Sequence, residues 1–179
     1  MMIRKAAEND LQQIEEIYSD IHTEEEQGRV TIGWDRNVYP IRETAQAALQ
    51  RGDLFAAEDD GRLVGTAIIN RQQVDVYKEG KWQYPASDDE VMVLHTLVIS
   101  PKVSGKGYGK KFVRFYEQYA LKNGCSCLRM DTNERNLRAR AMYRKLGYNE
   151  IGTVPCVFNG IEGVGLVLLE KKICGEFSK

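Results

Sequence analysis

Apolar residues recur along the chain at two different periods, and the changes of period mark its elements. Ile3 to Ala7 is short enough for an edge strand. Asn9 or Asp10 then opens a segment in which Leu11, Ile14, Ile17, Tyr18 and Ile21 are spaced as one face of an α-helix, ended by the acidic run Glu24-Glu25-Glu26. Gly33 to Pro40 reads as a loop, Pro40 sets the start of a second helix through Gln50, and Gly52 stops it. Leu54–Glu58 and Leu63–Asn70 then read as two strands joined by the tight-turn signal Asp59-Asp60-Gly61, with Val74-Asp75-Val76-Tyr77 as an extension of that pair. Lys78 to Glu90 is polar, holds Gly80, Pro85 and an acidic cluster around Trp82 and Tyr84, and reads as a long loop.

The second half begins with Val91–Ser100, which is apolar at odd and even positions alike and so predicts a central strand covered on both faces. Pro101 ends it. A helix from about Gly107 to Lys122 presents Phe112, Phe115, Tyr116 and Tyr119 as its inner face, and Asn123-Gly124 closes it. Cys125–Asp131 is a further strand, Asn136 caps a helix running to Leu146, and Gly147 terminates that helix. Tyr148–Val157 and Gly165–Ile173 alternate as a last antiparallel pair. The order β-α-α-β-β-β-α-β-α-β-β predicts a mixed α/β (α+β) fold with one glycine-rich strand-to-helix crossover in its middle.

Length and composition narrow the class without naming a function. A chain of 179 residues, 42% hydrophobic and 28% charged, suits one globular domain spanning 1–179. A formal net charge of −1 argues against a general nucleic-acid binder, so any basic site is local. No apolar run approaches the ~20 residues of a membrane span. The N-terminus Met-Met-Ile-Arg-Lys lacks a signal-peptide core, and with four cysteines in no zinc or redox spacing the expected location is a reducing cytoplasm. Two histidines are too few for a metal centre built on them, and no metal is expected. A monomer or homodimer is the expected assembly.

The densest chemistry lies in His95-Thr-Leu-Val-Ile-Ser-Pro-Lys-Val-Ser-Gly-Lys-Gly-Tyr-Gly-Lys110. Gly105, Gly107 and Gly109 let the backbone turn sharply and aim several N–H groups at one point. The following helix adds its unpaired first-turn N–H groups and the positive end of its dipole. Lys106, Lys110 and Lys111 cluster where cations cost ~0.3–1 kcal/mol each, a conflict that a bound polyanion removes. A glycine-rich turn with solvated lysines accounts for the loop equally well. Two nucleotide motifs are excluded by spacing. A P-loop needs four residues before Gly-Lys and then Ser or Thr, and the dinucleotide fingerprint needs two residues between its second and third glycines, where only Tyr108 stands.

Ser104-Gly105-Lys106-Gly107-Tyr108-Gly109 after a strand, together with Asn136, Ala139, Tyr143, Gly147 and Tyr148 about thirty residues on, resembles the paired signature of the GNAT superfamily of N-acetyltransferases. The first loop position, usually Arg or Gln in that family, is Ser104. The resemblance implies a mostly antiparallel, twisted sheet flanked by helices, with a splayed central parallel strand pair holding acetyl-coenzyme A. It implies that Ser104, Gly105, Lys106, Gly107, Tyr108, Gly109 and Lys110 hold the pyrophosphate, and that Leu97, Val98 and Ile99 pair with the pantetheine as an added strand would. A backbone N–H near Val98 would face the thioester oxygen, and Asn136 and Ala139 would touch the cofactor's arm. Arg138, Arg140, Arg144 and Lys145 offer charge near the phosphates or form a solvated helix face.

The implied reaction is direct attack of a primary amine, on a small molecule or peptide, on the thioester. An acyl-coenzyme A sensor that has lost turnover is the alternative. Tyr143 matches the family's general acid, although Ala139, Met142, Tyr143 and Leu146 share a helical face and Tyr143 also reads as core. Phenol is a weaker acid than a thiol, so full proton transfer in water is uphill by roughly 2 kcal/mol, and Tyr143 must act as a hydrogen-bond donor during departure or with help from its surroundings. His95, two residues before Leu97 and so on the same face of the strand, is the candidate base or else a core histidine. Asp89 and Glu90 could act through water or form a solvated cluster. The acceptor pocket is expected between the first two helices, Trp34–Pro40 and Lys78–Glu90, with Glu24–Glu26 and Asp88–Glu90 beside Trp34, Tyr39, Trp82 and Tyr84 drawing in a cationic amine.

Overall fold

A computed structural model describes residues 1–174; residues 175–179, the end of the expected domain, lie outside the described residues. Seven strands form one sheet: β1 (Met2–Lys5), β2 (Leu54–Asp59), β3 (Arg62–Asn70), β4 (Val91–Ile99), β5 (Cys127–Asn133), β6 (Asn149–Phe158) and β7 (Ile161–Lys172). Their order is β1-β2-β3-β4-β5-β7-β6, antiparallel everywhere except between β4 and β5. Helices α1 (Leu11–Glu26) and α2 (Arg42–Arg51) lie against one face, and α3 (Tyr108–Lys122) and α4 (Leu137–Lys145) against the other.

The predicted elements form for the reasons their patterns imply. Leu11, Ile14, Ile17 and Tyr18 of α1 are buried against Leu54, Ala56, Ile68 and Val98 of the sheet. Asp10 holds the entry to α1 by accepting from Ala7 N–H at 2.7 Å and from the Arg4 guanidinium at 2.6 Å. The β2–β3 turn places both Asp60 and Gly61 in the left-handed region, φ 51° and 73°, as a tight hairpin whose twist matches its strands requires.

Three expectations need correction. Val74–Tyr77 does not extend the β2–β3 pair: Asp75–Glu79 is a 3-10 turn, because β3 already has β2 on one edge and β4 on the other, and Tyr77 is instead buried under the sheet. The inner face of α3 is Tyr108, Phe112, Val113, Tyr116 and Ala120; Phe115 and Tyr119 are half-buried and stack on each other beside Phe55. The last hairpin is longer than predicted, closed by Asn159-Gly160 with φ 50° and 81°, the left-handed pair that an Asn-Gly tight turn requires.

The feature that positions the site is the junction of β4 and β5. They pair from Val91↔Cys127 to Leu94↔Met130 and then separate, although both strands continue. The buried Tyr116 hydroxyl lies 2.6 Å from Met92 O and 3.1 Å from Arg129 O, spanning the two strands where they are joined. Beyond that clamp the sheet opens as a V. On the β3 side β4 carries a bulge: Ile68 pairs with His95 and Thr66 with Val98, and Thr96 within it has φ 49°. A β-branched residue at positive φ is strained, so the surrounding contacts must hold it there. Tyr39 supplies one of those contacts, its hydroxyl bonding Thr96 Oγ1.

Candidate functional site

Two cavities meet at the open V. The outer cleft, about 890 Å³, runs from the glycine loop along α4 and is lined by Ser104, Gly105, Gly107, Tyr108, Gly109 and Lys110, with Asn136, Ala139 and Tyr143 further in. The inner chamber, about 380 Å³, lies behind β4 and includes His95, Thr96, Val98, Trp34, Tyr39 and Asp131. Leu97, Ile99, Asn136, Ala139 and Tyr143 line both. The sequence-predicted residues therefore come together, with the exception of Lys106, which lines neither cavity and projects to solvent.

The glycine loop has the chemistry expected of an anion cradle. Ser104 N–H bonds Pro101 O and Lys111 N–H bonds Gly107 O, but between them the N–H groups from Gly105 to Lys110 donate to no acceptor among the described residues. Gly105 and Gly107 have φ 85° and 76°, with open space where a Cβ would stand. Their role is conformational. Gly109 has an ordinary φ, and a Cβ there would lie 3.2 Å from Met142 Sδ, so it permits close approach of α3 to α4. Tyr108 anchors the loop through a 2.5 Å bond from its hydroxyl to Asp59 at the β2–β3 turn. Of the basic residues on α4, Arg140 is committed to Glu150 at 2.7 Å and to Glu134 O at 2.8 Å, whereas Arg138 lines the outer cleft.

Along β4, Ser100 N–H bonds Val64 O on the β3 side. Alternate residues of a strand present their amides to the same edge, so Val98 shares that side and the amides of Leu97 and Ile99 face the opening. The N–H expected near Val98 is therefore that of Leu97 or Ile99 rather than Val98's own. The bulge changes His95 as well. Leu94, Leu97 and Ile99 pack on the α3–α4 face, whereas His95 pairs with Ile68 and shares the face of α1 and α2. His95 and Leu97 are on opposite faces because the extra residue at Thr96 resets the alternation.

Hydrogen bonding fixes the His95 tautomer. Asp53 can only accept, so the Asn70 amide nitrogen faces it at 2.7 Å and Asn70 Oδ1 accepts from Gln72 N–H at 2.9 Å. His95 Nε2, 3.1 Å from that same Oδ1, must then be the donor, and Nδ1 keeps its lone pair. Burial pushes the ring down to about 4, with Gln72 and Asp53 opposing, so it is neutral at physiological pH. Tyr143 is buried; desolvation first and the Asp131 charge second hold its phenol well above its ordinary range. Its hydroxyl is bonded to no group among the described residues, where the hydroxyls of Tyr77, Tyr108 and Tyr116 all are.

The expected acidic wall of the acceptor pocket is built differently. Glu24 pairs with Arg29 at 2.6 Å, Glu26 with Arg36 at 2.8 Å, and Glu25 accepts from Ile32 N–H at 2.6 Å and Gly33 N–H at 3.1 Å. These acids hold the 29–36 segment over the site; they do not line the chamber. Glu90 turns back to Ser87, and Trp82 and Tyr84 pack beyond the chamber, Trp82 under the Arg129 guanidinium. The Lys78–Glu90 loop is replaced in the chamber wall by Asn70–Val74 residues and by the hairpin tip at Phe158, Asn159 and Ile161. The carboxylate that does line it is Asp131, accepting from Tyr77 Oη at 2.7 Å and pushed up to about 6 by burial, against that hydrogen bond. A lone acid in the strand Cys127-Leu-Arg-Met-Asp131 was the available signal, and its meaning depended on where the two strands part.

Residues 11–148 match the Acetyltransferase (GNAT) family. An uncharacterized N-acetyltransferase of Bacillus subtilis, YhfO, is 33% identical over 101 residues, 54% of this chain and 58% of that protein. A thialysine N-epsilon-acetyltransferase of Bos taurus is 33% identical over 58 residues, 32% of this chain and 34% of that one. The matched stretch thus spans less than two thirds of either relative. Among solved structures, a GNAT-family acetyltransferase of Streptococcus agalactiae superposes with a TM-score of 0.81 at 24% identity, covering 98% of this chain and 96% of that one. The Salmonella typhimurium protein yncA, solved with acetyl-CoA, superposes with a TM-score of 0.71 at 16% identity, covering 100% and 97%. With its splayed parallel pair, its row of free loop amides and a family match over most of its length, the chain belongs to the GNAT acetyltransferase family.

Proposed function

We propose that the chain, acting as one domain, transfers an acetyl group from acetyl-coenzyme A to a primary amine. The observation that carries this reading is the run of unbonded N–H groups from Gly105 to Lys110, continuous through the outer cleft with the open edge of β4 and with Tyr143. Loop amides and the α3 N-terminus suit a pyrophosphate. Arg138 adds a cation at the same cleft. The Leu97 and Ile99 amides suit a pantetheine arm paired as an added strand, and one of them suits the developing oxyanion.

Tyr143, at the junction of the two cavities, donates to the departing sulfur. Its raised pKa makes it a hydrogen-bond donor that stays protonated until the thiolate forms. His95, neutral and with Nδ1 given no partner among the described residues, offers the inner chamber a hydrogen-bond acceptor for the amine.

The test is acetyl-coenzyme A with a panel of thialysine, lysine, phenethylamine and a short peptide with a free N-terminus, following thiol release. Thialysine enters the panel because one matched relative carries it in its name. Acceptor-dependent release supports the enzyme. Tight binding of acetyl-coenzyme A with no such release would identify a sensor of the same fold instead.

A further inference from the structure

Resting on the amine-acetylating reading above, we propose that Asp131 is the group that receives the acceptor: its carboxylate holds the substrate as a primary ammonium and takes the proton that frees the nitrogen for attack. The argument begins with position. Asp131 is the first residue of β5 after the last pairing with β4, Leu94↔Met130, so it stands at the point of the V, in register with His95. Leu168, its partner on β7, packs on the face away from α3 and α4, so Asp131 looks into the inner chamber from the same side as His95.

Charge in the chamber singles it out. Arg51 also lines the wall but is paired with Asp53 at 3.0 Å. Asp131 forms no ion pair among the described residues, and its one bond from the protein is the Tyr77 hydroxyl on Oδ2, which leaves Oδ1 for a ligand. An unpaired carboxylate desolvated in this chamber is a costly arrangement unless a cation arrives to match it. The groups that face it are the Tyr77, Tyr39 and Tyr143 phenols, the Cys156 thiol, neutral His95 and the paired Arg51. None is a free cation. The substrate class that fits is a primary alkylammonium whose adjoining body rests against Trp34, Tyr39 and Phe158.

The proton and electron count closes with groups already named. One proton passes from R–NH3⁺ to the Asp131 carboxylate. The nitrogen lone pair forms the new N–C bond, and the C–S bond breaks with its pair going to sulfur. Tyr143 gives its proton to that sulfur and recovers the second nitrogen proton, and Asp131 loses its own to solvent. Burial also brings this carboxyl to about 6, closer to the ammonium's ~10 than the neutral ring of His95 at about 4.

The test is the pH dependence of kcat/KM on total amine, from pH 5.5 to 9.5, using whichever panel amine the protein acetylates best. The wild-type rate should rise through about pH 6, level, and fall toward the amine's own pKa of ~10. Asp131→Asn, isosteric and still able to accept from Tyr77, should lose at least a hundredfold at pH 7. It should instead rise steadily with pH, since only amine already neutral in solution reacts. Tyr77→Phe, which removes the bond that stabilises the ionised form, should move the acid limb to higher pH. His95→Gln should keep both limbs whatever its rate. An Asp131→Asn enzyme within threefold of wild type, or one that keeps the acid limb, would overturn the assignment. If no amine is acetylated, the enzyme reading fails and the ammonium site is judged separately by calorimetry with thialysine and phenethylamine. At least tenfold weaker binding to Asp131→Asn upholds the cation site, and equal or absent binding removes it.

Discussion

At the scale of single residues, the site depends on side chains whose ionisation is set by burial. Tyr143 is desolvated, and its hydroxyl is bonded to no group among the described residues; the proposed mechanism has it donate once and recover a proton. Tyr143→Phe should lower turnover tenfold or more while the dissociation constant of acetyl-coenzyme A stays within about threefold, read by steady-state thiol release beside calorimetry. Unchanged turnover would return the ring to core packing with Tyr148, 6.1 Å away centroid to centroid. His95 and Asp131 make a second prediction, about stability. Asp131 has a raised pKa in the fold, so it favours the native state below about pH 4 and loses that contribution as pH rises through about 6. His95 has a lowered pKa, so its contribution is present above about 6.5 and is lost as pH falls toward 4. The two trends oppose each other across one pH window. Asp131→Asn should therefore raise stability at pH 7.5 by at most about 3 kcal/mol, seen as a higher melting temperature, and unmask a steeper loss between pH 6.5 and 4.5. His95→Gln should do the reverse, showing a gain on acidification. Melting curves at the two pH values decide it, and identical slopes in all three proteins would mean that neither group is buried as described.

At the scale of elements, the glycine loop and the β4 bulge carry the work. Gly107 sits at φ 76° as the residue before α3, a conformation that costs an L-residue with a Cβ roughly 1–2 kcal/mol. Gly107→Val puts a branched side chain on a residue whose left-handed φ only glycine adopts cheaply, and so disturbs the loop that carries the free amides. It should weaken acetyl-coenzyme A binding at least tenfold, by calorimetry, with a smaller change in melting temperature; normal affinity would detach the loop from phosphate binding. The bulge at Thr96 acts differently. It directs both His95 and Thr96 to the α1–α2 side, and so hands the chamber a ring and a hydroxyl that a regular strand would have placed on opposite faces.

At the scale of the whole molecule, the two cavities are closed by segments far apart in sequence. The 29–36 segment crosses from α1 to the β5–α4 loop, where Thr31 Oγ1 donates to Arg135 O at 3.0 Å, and the β6–β7 tip at Phe158–Ile161 roofs the chamber beside it. Glu25 anchors the first of these through two backbone N–H groups, each such charged bond being worth about 1.5–3 kcal/mol where it is buried and less where water reaches it. Glu25→Ala should loosen the 29–36 segment without unfolding the sheet. The expected readouts are faster proteolysis at Arg29 or Arg36 and a several-fold rise in KM for both substrates, with kcat less affected. Unchanged proteolysis and KM would show that the segment holds its place through packing alone.

Helices, strands and the paired motifs were legible in the sequence because each is written in local terms: apolar period, capping residue, turn glycine and the spacing of Gly105 to Gly109 and Asn136 to Tyr143. Those same local rules placed the glycine loop at the start of a helix, and its resemblance, with the Asn136–Tyr148 motif, to the GNAT signature implied the fold and family. They could not decide which acids meet the acceptor. Glu24–Glu26 carry the stronger sequence signal, yet they are consumed by Arg29, Arg36 and two backbone amides. Asp131, a single acid in an apolar strand, becomes the chamber's carboxylate because pairing stops at Met130 and because Tyr77 arrives from a turn that was expected to be strand. The face of His95 likewise depends on one extra residue in β4, a matter of register with β3 that no local pattern encodes. Local chemistry determined the glycine loop and its free amides. Only the parting of two strands, a property of the whole sheet, decided which carboxylate lines the inner chamber.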